Sequence, residues 1–333
     1  MSFRVLHSTL GCTASSGSST NTLYSKAKLL WSNDMFEQLI KDGLVKQKRY
    51  DNGLSVFKYA RKVFYDALWN TDPLLLEARG IVIDDAGNKV IWPFTKVFNY
   101  KENNAGVNLM MDTPIIAPRK VNGFMAACRY WNGELIVSTT GSLDSDFAVL
   151  ARKHIEALPN QSFLRGTARV HTLLFEICDP TDPHIVAEDE GAWLIGARDM
   201  DSFEMVPEAR LDTMASIMGA LRPEVFRGTF GQLWHMVREC RHEGWMVIDA
   251  ATRETVMKIK SPHYLSKKFL MRMGQKKVTA MFEDKDNFIK TIDEEFYPVV
   301  HYITRWWDAD KWQATSEADR RAVIEKYFEM EAQ

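Results

Sequence analysis

The chain has 333 residues, 46% of them hydrophobic, which is enough for one large domain and a smaller one. Lysine and arginine number 42 against 44 acidic residues, so a net basic charge is excluded as the source of any affinity for nucleic acid. The four cysteines form no C-x-x-C pair and no apolar run reaches membrane-spanning length, which argues against a zinc site, a disulfide framework and a membrane anchor.

The N-terminal segment differs in composition from the rest of the chain. It contains the Ser/Thr/Gly-rich run Thr13–Thr20 and no acidic residue before Asp34. A targeting peptide can have this composition. A mobile extension, or a start codon placed upstream of Met35, is the simpler interpretation. We therefore expect residues 1–34 to be a disordered extension.

Residues 35–265 have the mixed pattern of helices and strands that is typical of an α+β domain. Predicted strands are rich in β-branched or aromatic residues and are bounded by Gly, Asn or Asp: Gly80–Asp84, Leu135–Thr139, Thr172–Ile177, Trp245–Asp249 and Thr255–Lys260. Helical spacing of apolar residues predicts helices between them, at Phe147–Ala157 and Leu211–Leu221.

Residues 266–333 have a different pattern, with apolar side chains at helical spacing: Phe288, Ile292, Phe296, Val299, Ile303 and Trp307. Ala318–Met330 continues as a charged amphipathic helix. We predict a small helical C-terminal domain here.

Lys120 lies in R-K-V-N-G-F, the only K-x-x-G in the chain. One reading is a surface lysine before a hairpin turn at Asn122-Gly123. The other is a nucleophile whose neutral amine attacks the α-phosphorus of ATP. Positive neighbours such as Arg119 would then lower the lysine pKa, and Gly123 would allow the backbone to approach the nucleotide closely.

Two further lysines lie on a predicted β-hairpin formed by Glu243–Asp249 and Val256–Pro262. Lys258 and Lys260 are two residues apart, so they face the same side of their strand, and Ile259 faces the other side. Burying both lysines is unfavourable without an anion such as a triphosphate. A solvent-facing edge strand is the alternative.

Two charged residues occur at the start of a strand or within one. Glu176 lies inside the apolar strand L-L-F-E-I-C-D. It is either buried beside a partner or facing a pocket. The alternative is an alternating strand in which Glu176 is the one exposed acid. Arg79 opens R-G-I-V-I-D and could bind a phosphate through two donors, or be a surface arginine.

The order of these motifs is more specific than any one of them. It resembles that of the covalent nucleotidyltransferases and, over roughly residues 50–265, the T-even bacteriophage RNA ligase 1 family. The residues that carry the resemblance are, in chain order, Arg79, Lys96 with Phe98, Lys120 with Gly123, Glu176, Leu194–Asp199, Glu243 with Gly244, and Lys258 with Lys260.

The resemblance implies an ATP-dependent RNA ligase with an ATP-grasp-like nucleotidyltransferase domain of antiparallel sheets. Lys120 would accept AMP, and Glu176 would contact the ribose. Glu243 would help to hold Mg²⁺. Lys258 and Lys260 would neutralise the α-phosphate, and the remaining positions that line the phosphate and adenosine would be Arg79, Lys96 and Phe98.

The partners implied are RNA ends, single-stranded or in a nicked loop such as a tRNA anticodon loop under repair. The expected location is the cytoplasm, or the host cytoplasm if the protein is viral. Two positions depart from the family pattern: Thr140 stands where a lysine is usual before Gly-Ser, and Asn122 where aspartate is common. A capping-type guanylyltransferase and a catalytically silent nucleic-acid-binding module remain alternatives.

Overall fold

The computed structural model describes residues 33–292 and 294–331, and within these residues it has three four-stranded antiparallel sheets. The predicted α+β architecture is confirmed. The strands are β1 Val45–Arg49, β2 Leu54–Tyr59, β3 Arg79–Asp84, β4 Lys89–Ile91, β5 Pro114–Lys120, β6 Phe124–Trp131, β7 Glu134–Thr139, β8 His171–Cys178, β9 Gly191–Asp199, β10 Val225–Thr229, β11 Gly244–Asp249 and β12 Thr255–Lys260.

The sheets have the strand orders β1-β2-β3-β4, β10-β5-β11-β12 and β7-β6-β8-β9. The α-helices are α1 Glu37–Lys41, α2 Arg61–Tyr65, α3 Leu74–Glu77, α4 Asp146–Glu156, α5 Gln161–Ala168, α6 Glu208–Met218, α7 Phe230–Glu239, α8 Pro262–Arg272, α9 Gln275–Glu283, α10 Lys285–Ile289, α11 Tyr297–Trp306, α12 Ala309–Ala314 and α13 Glu317–Glu331. Short 3₁₀ turns occur at Asn33–Phe36, Leu68–Asn70, Glu102–Asn104 and Glu294–Phe296.

The predicted strands agree with the observed ones to within one residue at each end, and β12 has the predicted bounds. The predicted helix Leu211–Leu221 instead begins three residues earlier and ends at Met218. Pro207 precedes its first turn, and Gly219 ends it in the left-handed region with φ of 78°. Proline before the helix and glycine after it are the usual end signals.

The hairpin considered at Asn122-Gly123 does not form, because β5 and β6 belong to different sheets. The chain crosses from the second sheet to the third over residues 121–123. Asn122 is buried, and its side-chain oxygen accepts a hydrogen bond from the backbone N–H of Val186. The crossing places Lys120, the last residue of β5, where the two sheets meet.

The helices after β12 have a core of their own, made of Phe269, Met273, Val278, Met281, Phe288, Phe296, Val299, Val300, Ile303, Trp312, Ile324 and Tyr327. Helix α8 runs across the predicted boundary at residue 265, so the division into 35–265 and 266–333 stays a prediction. In the described part of the chain, no helix is long and apolar enough to cross a membrane. The extension predicted at residues 1–34 lies outside the described residues except for its last two.

Candidate active site

A cavity of about 460 Å³ lies where the three sheets meet. Lys120 at the end of β5, Glu176 in β8 and Lys258 in β12 line it, together with Arg79 at the start of β3. Its volume is in the range of small-molecule sites. Four of the sequence-predicted residues, from all three sheets, therefore converge on one space.

Lys120 forms an ion pair across the ends of adjacent strands. Its Nζ lies 3.0 Å from Oε2 of Glu243, whose side chain is only 4% exposed. The backbone register explains the contact, because Gly244 at the start of β11 pairs with Lys120. Asn122 Nδ2 donates to the same Glu243 oxygen at 2.9 Å.

The electrostatic environment of Lys120 is the opposite of the one predicted. Burial disfavours its charged form, but the Glu243 and Glu176 carboxylates outweigh burial and raise the pKa of Lys120 above its ordinary value. Arg119 does not lower this pKa, because its guanidinium pairs with Glu188 at 2.9 Å. Adjacent strand residues face opposite sides of a sheet, which separates the two cations.

Glu176 is buried within β8, so the exposed-acid alternative is wrong. Its Oε1 accepts a hydrogen bond from the backbone N–H of Gly123 at 3.2 Å. Burial, with the nearby Glu243 carboxylate, raises the pKa of Glu176. Gly123 is required by close packing, because a Cβ there would lie 2.2 Å from the carbonyl oxygen of Ile177.

Lys258 and Arg79 are cations without a counterion. Among the described residues, neither makes an ion pair or a hydrogen bond through its charged group. Burial, together with Lys260, Lys96 and Arg79, holds the pKa of Lys258 well below its ordinary value. Burial also lowers the pKa of Arg79. β12 is the edge strand of its sheet, as the alternative predicted, but its lysine face is not open to solvent, because Lys258 is only partly exposed and lines the cavity.

Lys260 shares the face of Lys258 but reaches a different partner. Its Nζ lies 2.6 Å from Oε2 of Glu295, in the segment after α10. Lys96 pairs with Glu102 at 3.1 Å. Both lysines border a second space beside the first cavity, and Lys258 borders both spaces.

Phe98 lies in the core rather than in the cavity wall. It is buried, and its ring packs edge-on against Trp69 with centroids 5.6 Å apart. The ammonium of Lys96 lies 4.5 Å from its ring centroid. Phe98 therefore positions Lys96, and its backbone oxygen accepts from the N–H of Lys258 at 2.8 Å.

No sequence pattern identified Glu295, whereas Lys268 belongs to a basic cluster after β12 that predicts contacts with phosphates. Lys268 Nζ lies 2.5 Å from Glu295 Oε1, so Glu295 joins Lys268 to Lys260. The available signal was weak, since Lys268 stands in a run of basic residues after β12 and Glu295 in an acidic run.

Thr140, the departure from the usual lysine, lies at the end of β7 against β3. A Cβ on Gly80 would be 2.8 Å from the Cα of Thr140. A different lysine is close by: a Cβ on Gly141 would lie 3.4 Å from Nζ of Lys58. The neighbourhood of Thr140 thus retains a cation, from β2.

Solved structures with a similar fold are ATP-dependent ligases. A structure described as archaeal ATP-dependent RNA ligase, form 2, aligns with a TM-score of 0.55 and 16% identity over 89% of this chain and 77% of the other. Form 1 aligns with a TM-score of 0.54 and 15% identity over 89% and 76%. A putative ATP-dependent DNA ligase from Aquifex aeolicus aligns with a TM-score of 0.55 and 13% identity, over 90% of this chain and 72% of the other.

These likenesses confirm the predicted nucleotidyltransferase fold of ATP-dependent ligases with C-terminal helices. No family model matches the sequence, and no curated protein matches it. The narrower resemblance to the T-even phage family stays a prediction. At these identities the comparisons carry the fold alone, and function has to be argued from the site.

Proposed function

We propose that the protein is an ATP-dependent RNA ligase that joins 3′-hydroxyl and 5′-phosphate ends through AMP bound covalently to Lys120. The observation that carries the proposal is the combination of Lys120, held between Glu243 and Glu176, with two uncompensated cations in the same cavity. A buried lysine without an anion is unfavourable. Lys258 and Arg79 are therefore arranged for the phosphates of a nucleotide.

The reaction has three balanced steps. The Nζ of Lys120 forms a bond to the α-phosphorus of ATP, and the bond from that phosphorus to the pyrophosphate oxygen breaks. An oxygen of the RNA 5′-phosphate then attacks the same phosphorus and breaks its bond to Lys120. Finally a 3′-hydroxyl attacks the RNA phosphorus, loses its proton and releases AMP.

Lys120 has to become neutral before it can attack. Glu243 stabilises the ammonium form in the free protein, so the Lys120–Glu243 ion pair must open and the proton must leave before the nitrogen–phosphorus bond forms. Lys258 contributes differently, since its uncompensated charge is available for the α-phosphate and its transition state. Glu176, beside Gly123, would contact the ribose.

We infer that a divalent cation would bind at Glu243, which lies beside Lys120 at the edge of this cavity. Although burial opposes ionisation of Glu243, Lys120 and Lys260 lower its pKa, so this residue offers charged oxygen, the ligand that Mg²⁺ prefers. Glu243 would hold the ion. Bound there, Mg²⁺ would neutralise phosphate charge.

The decisive test is covalent labelling. Lys120→Ala should abolish the AMP adduct that the full chain forms with ATP and Mg²⁺, measured by intact mass, because the nucleophile is gone. It should retain sealing of RNA supplied already adenylated. Lys46→Ala, an exposed lysine of β1, is the matched control and should label normally.

Three outcomes would contradict the proposal. An adduct on Lys120→Ala would place the nucleophile elsewhere. Labelling of the unmodified chain by GTP instead of ATP would favour a capping-type guanylyltransferase, and no labelling by either would favour a silent binding module.

A further inference from the structure

A second space lies between β12 and the C-terminal helices. It consists of a cavity of about 490 Å³ and an adjoining pocket of about 140 Å³. The two share Asn99, Glu102, Lys258, Lys260 and Glu295 in their walls. We call them together the junction cavity. The charged wall of the smaller pocket consists of Lys96, Lys258, Lys260, Lys268, Glu102 and Glu295.

The charges of this wall do not balance. Four lysines face two glutamates in the smaller pocket. Glu295 joins Lys260 and Lys268, and Glu102 pairs with Lys96. Among the described residues Lys258 forms no ion pair, although the Glu102 carboxylate acts to raise its pKa. The side chains of these ion pairs are only 9–13% exposed. A cationic surplus so far from water is stabilised by an anion.

The larger part of the junction cavity can accommodate more than a phosphate. Its wall includes the aromatic side chains Tyr100, Trp234, Tyr327 and Phe328. Aromatic side chains accept bases by stacking without demanding a sequence. A phosphorylated nucleotide therefore matches the cavity, with its phosphate at the lysines.

We propose that the junction cavity binds the phosphorylated 5′ end of RNA, and that Glu295 occupies the phosphate position until this end displaces it from Lys260 and Lys268. The proposal rests on the proposed ligase function. It assigns part of the substrate site to the C-terminal helical segment, through Lys268 of α8 and Glu295.

The arrangement of the two cavities supports this occupant. Lys120 borders only the first cavity, whereas Lys258 borders both. In-line displacement of Lys120 from the α-phosphorus requires the RNA phosphate to approach from the side away from Lys120. Lys258, which borders both cavities, connects the junction cavity with the cavity that contains Lys120.

Glu295 is suited to be exchanged for a phosphate. Although burial opposes its ionisation, Lys260 and Lys268 lower its pKa to about 2, so it is an anion at neutral pH. It offers one negative charge to two lysines. A terminal phosphate carries nearly two charges and three acceptor oxygens, so it satisfies both lysines more fully.

The test measures binding to the full chain without ATP. The probes are a 5′-phosphorylated oligoribonucleotide, the same oligonucleotide with a 5′-hydroxyl, and inorganic pyrophosphate. Glu295→Gln should bind the phosphorylated probe at least about threefold more tightly, because an internal competitor is removed. Lys268→Met should bind it at least about tenfold more weakly, because a charged hydrogen bond is lost.

The controls isolate the phosphate. Neither variant should change binding of the 5′-hydroxyl probe. Glu317→Gln makes the same charge change on an exposed part of α13 and should bind all probes as the unmodified chain does. Thermal unfolding verifies the fold. If Glu295→Gln does not fold, the result for Lys268→Met decides the test. That variant is expected to fold, because Glu295 keeps its contact with Lys260.

Unchanged affinity of Lys268→Met for the phosphorylated probe would overturn the proposal. Equal changes in affinity for the phosphorylated and the hydroxyl probe would also overturn it. Changes in affinity confined to pyrophosphate would do the same, because the cavity would then be a site for the leaving group of ATP. AMP labelling of Lys120 is scored in a separate reaction. If Lys120 is not labelled but the expected binding pattern is observed, the ligase chemistry is refuted and the phosphate site is retained.

Discussion

Lys120 and Lys258 line the same cavity in opposite electrostatic states. Glu243 and Glu176 outweigh burial and raise the pKa of Lys120. Burial and neighbouring cations lower that of Lys258. The difference follows from position in the second sheet, because Lys120 ends its strand beside Glu243 whereas Lys258 pairs with apolar Met246. Carboxylates stabilise the charged form of Lys120, whereas the charged form of Lys258 would be stabilised by a bound anion.

Lys258→Met should therefore slow formation of lysine–AMP by about 10²–10³-fold, the usual effect of removing one preorganised charge contact. It should not lower the free energy of unfolding, because the lost group is an uncompensated buried cation. Lys96→Met is the matched comparison and should be destabilising, because it removes the ion pair with Glu102. Rates come from single-turnover labelling and stabilities from urea unfolding.

The pH dependence of stability checks the same assignment. The folded-state pKa of Lys258 lies below its unfolded value near 10.5, so the unfolded chain binds more protons over the interval between them. Its contribution to the free energy of unfolding should thus rise with pH in that interval. The rise should be smaller in Lys258→Met. The assignment would be contradicted if the pH profile of stability were the same for Lys258→Met and the unmodified chain. It would also be contradicted if Lys258→Met were as destabilised as Lys96→Met.

At the level of elements, the β11–β12 hairpin aligns the site. Gly244 pairs with Lys120 on one side and with Lys260 on the other. Its φ is 142°, and a Cβ would lie 2.0 Å from the backbone oxygen of Ile259. The close approach of the two strands depends on glycine here, directly after Glu243.

Gly244→Ala should lower the free energy of unfolding by more than ~3 kcal/mol, because backbone strain and a backbone clash add together. Gly133→Ala is the control. That glycine also has positive φ, 89°, but nothing lies within 4 Å of an added Cβ, so strain alone should cost about 1 kcal/mol. Chemical denaturation of both variants measures the difference. Equal losses would show that strand spacing at β11–β12 is not limiting.

At the level of the whole molecule, the C-terminal helices form a core of their own and also contact the lysines next to the first cavity. Their buried core begins at Phe269, so it lies entirely after β12. The Lys260–Glu295 and Lys268–Glu295 ion pairs connect this core to the second sheet. The proposed division of labour is that the sheets adenylate Lys120 and the helices complete the RNA site.

A chain ending at Ser266 should still form lysine–AMP, because the residues of the first cavity precede this point. It should lose most joining of 5′-phosphorylated RNA, since Lys268 and the part of the junction cavity wall formed by the C-terminal helices are removed. The cut also leaves out every buried member of the C-terminal core. AMP labelling and sealing are compared for both lengths across a salt series, after circular dichroism verifies folding.

Loss of labelling in the folded truncated chain would contradict the division. Undiminished sealing with an unchanged salt dependence would contradict it equally, because contacts with RNA phosphates weaken as salt rises.

The sequence by itself determined the strands and the order of the site residues. Alternation and β-branched content predicted β12 to the residue, and the two-residue spacing placed Lys258 and Lys260 on one face. These are local properties, readable over a few residues. They were also sufficient to predict a mixed region of strands and helices followed by a helical region.

Only the tertiary structure decided which charges meet. Lys120 and Glu243 are 123 residues apart, and Lys260 and Glu295 are 35 apart. Whether Lys120 is charged in the free protein depends on the first contact, and what Lys260 can bind depends on the second. Both contacts arise from packing between strands and helices distant in sequence, and periodicity within a segment carries no information about such packing.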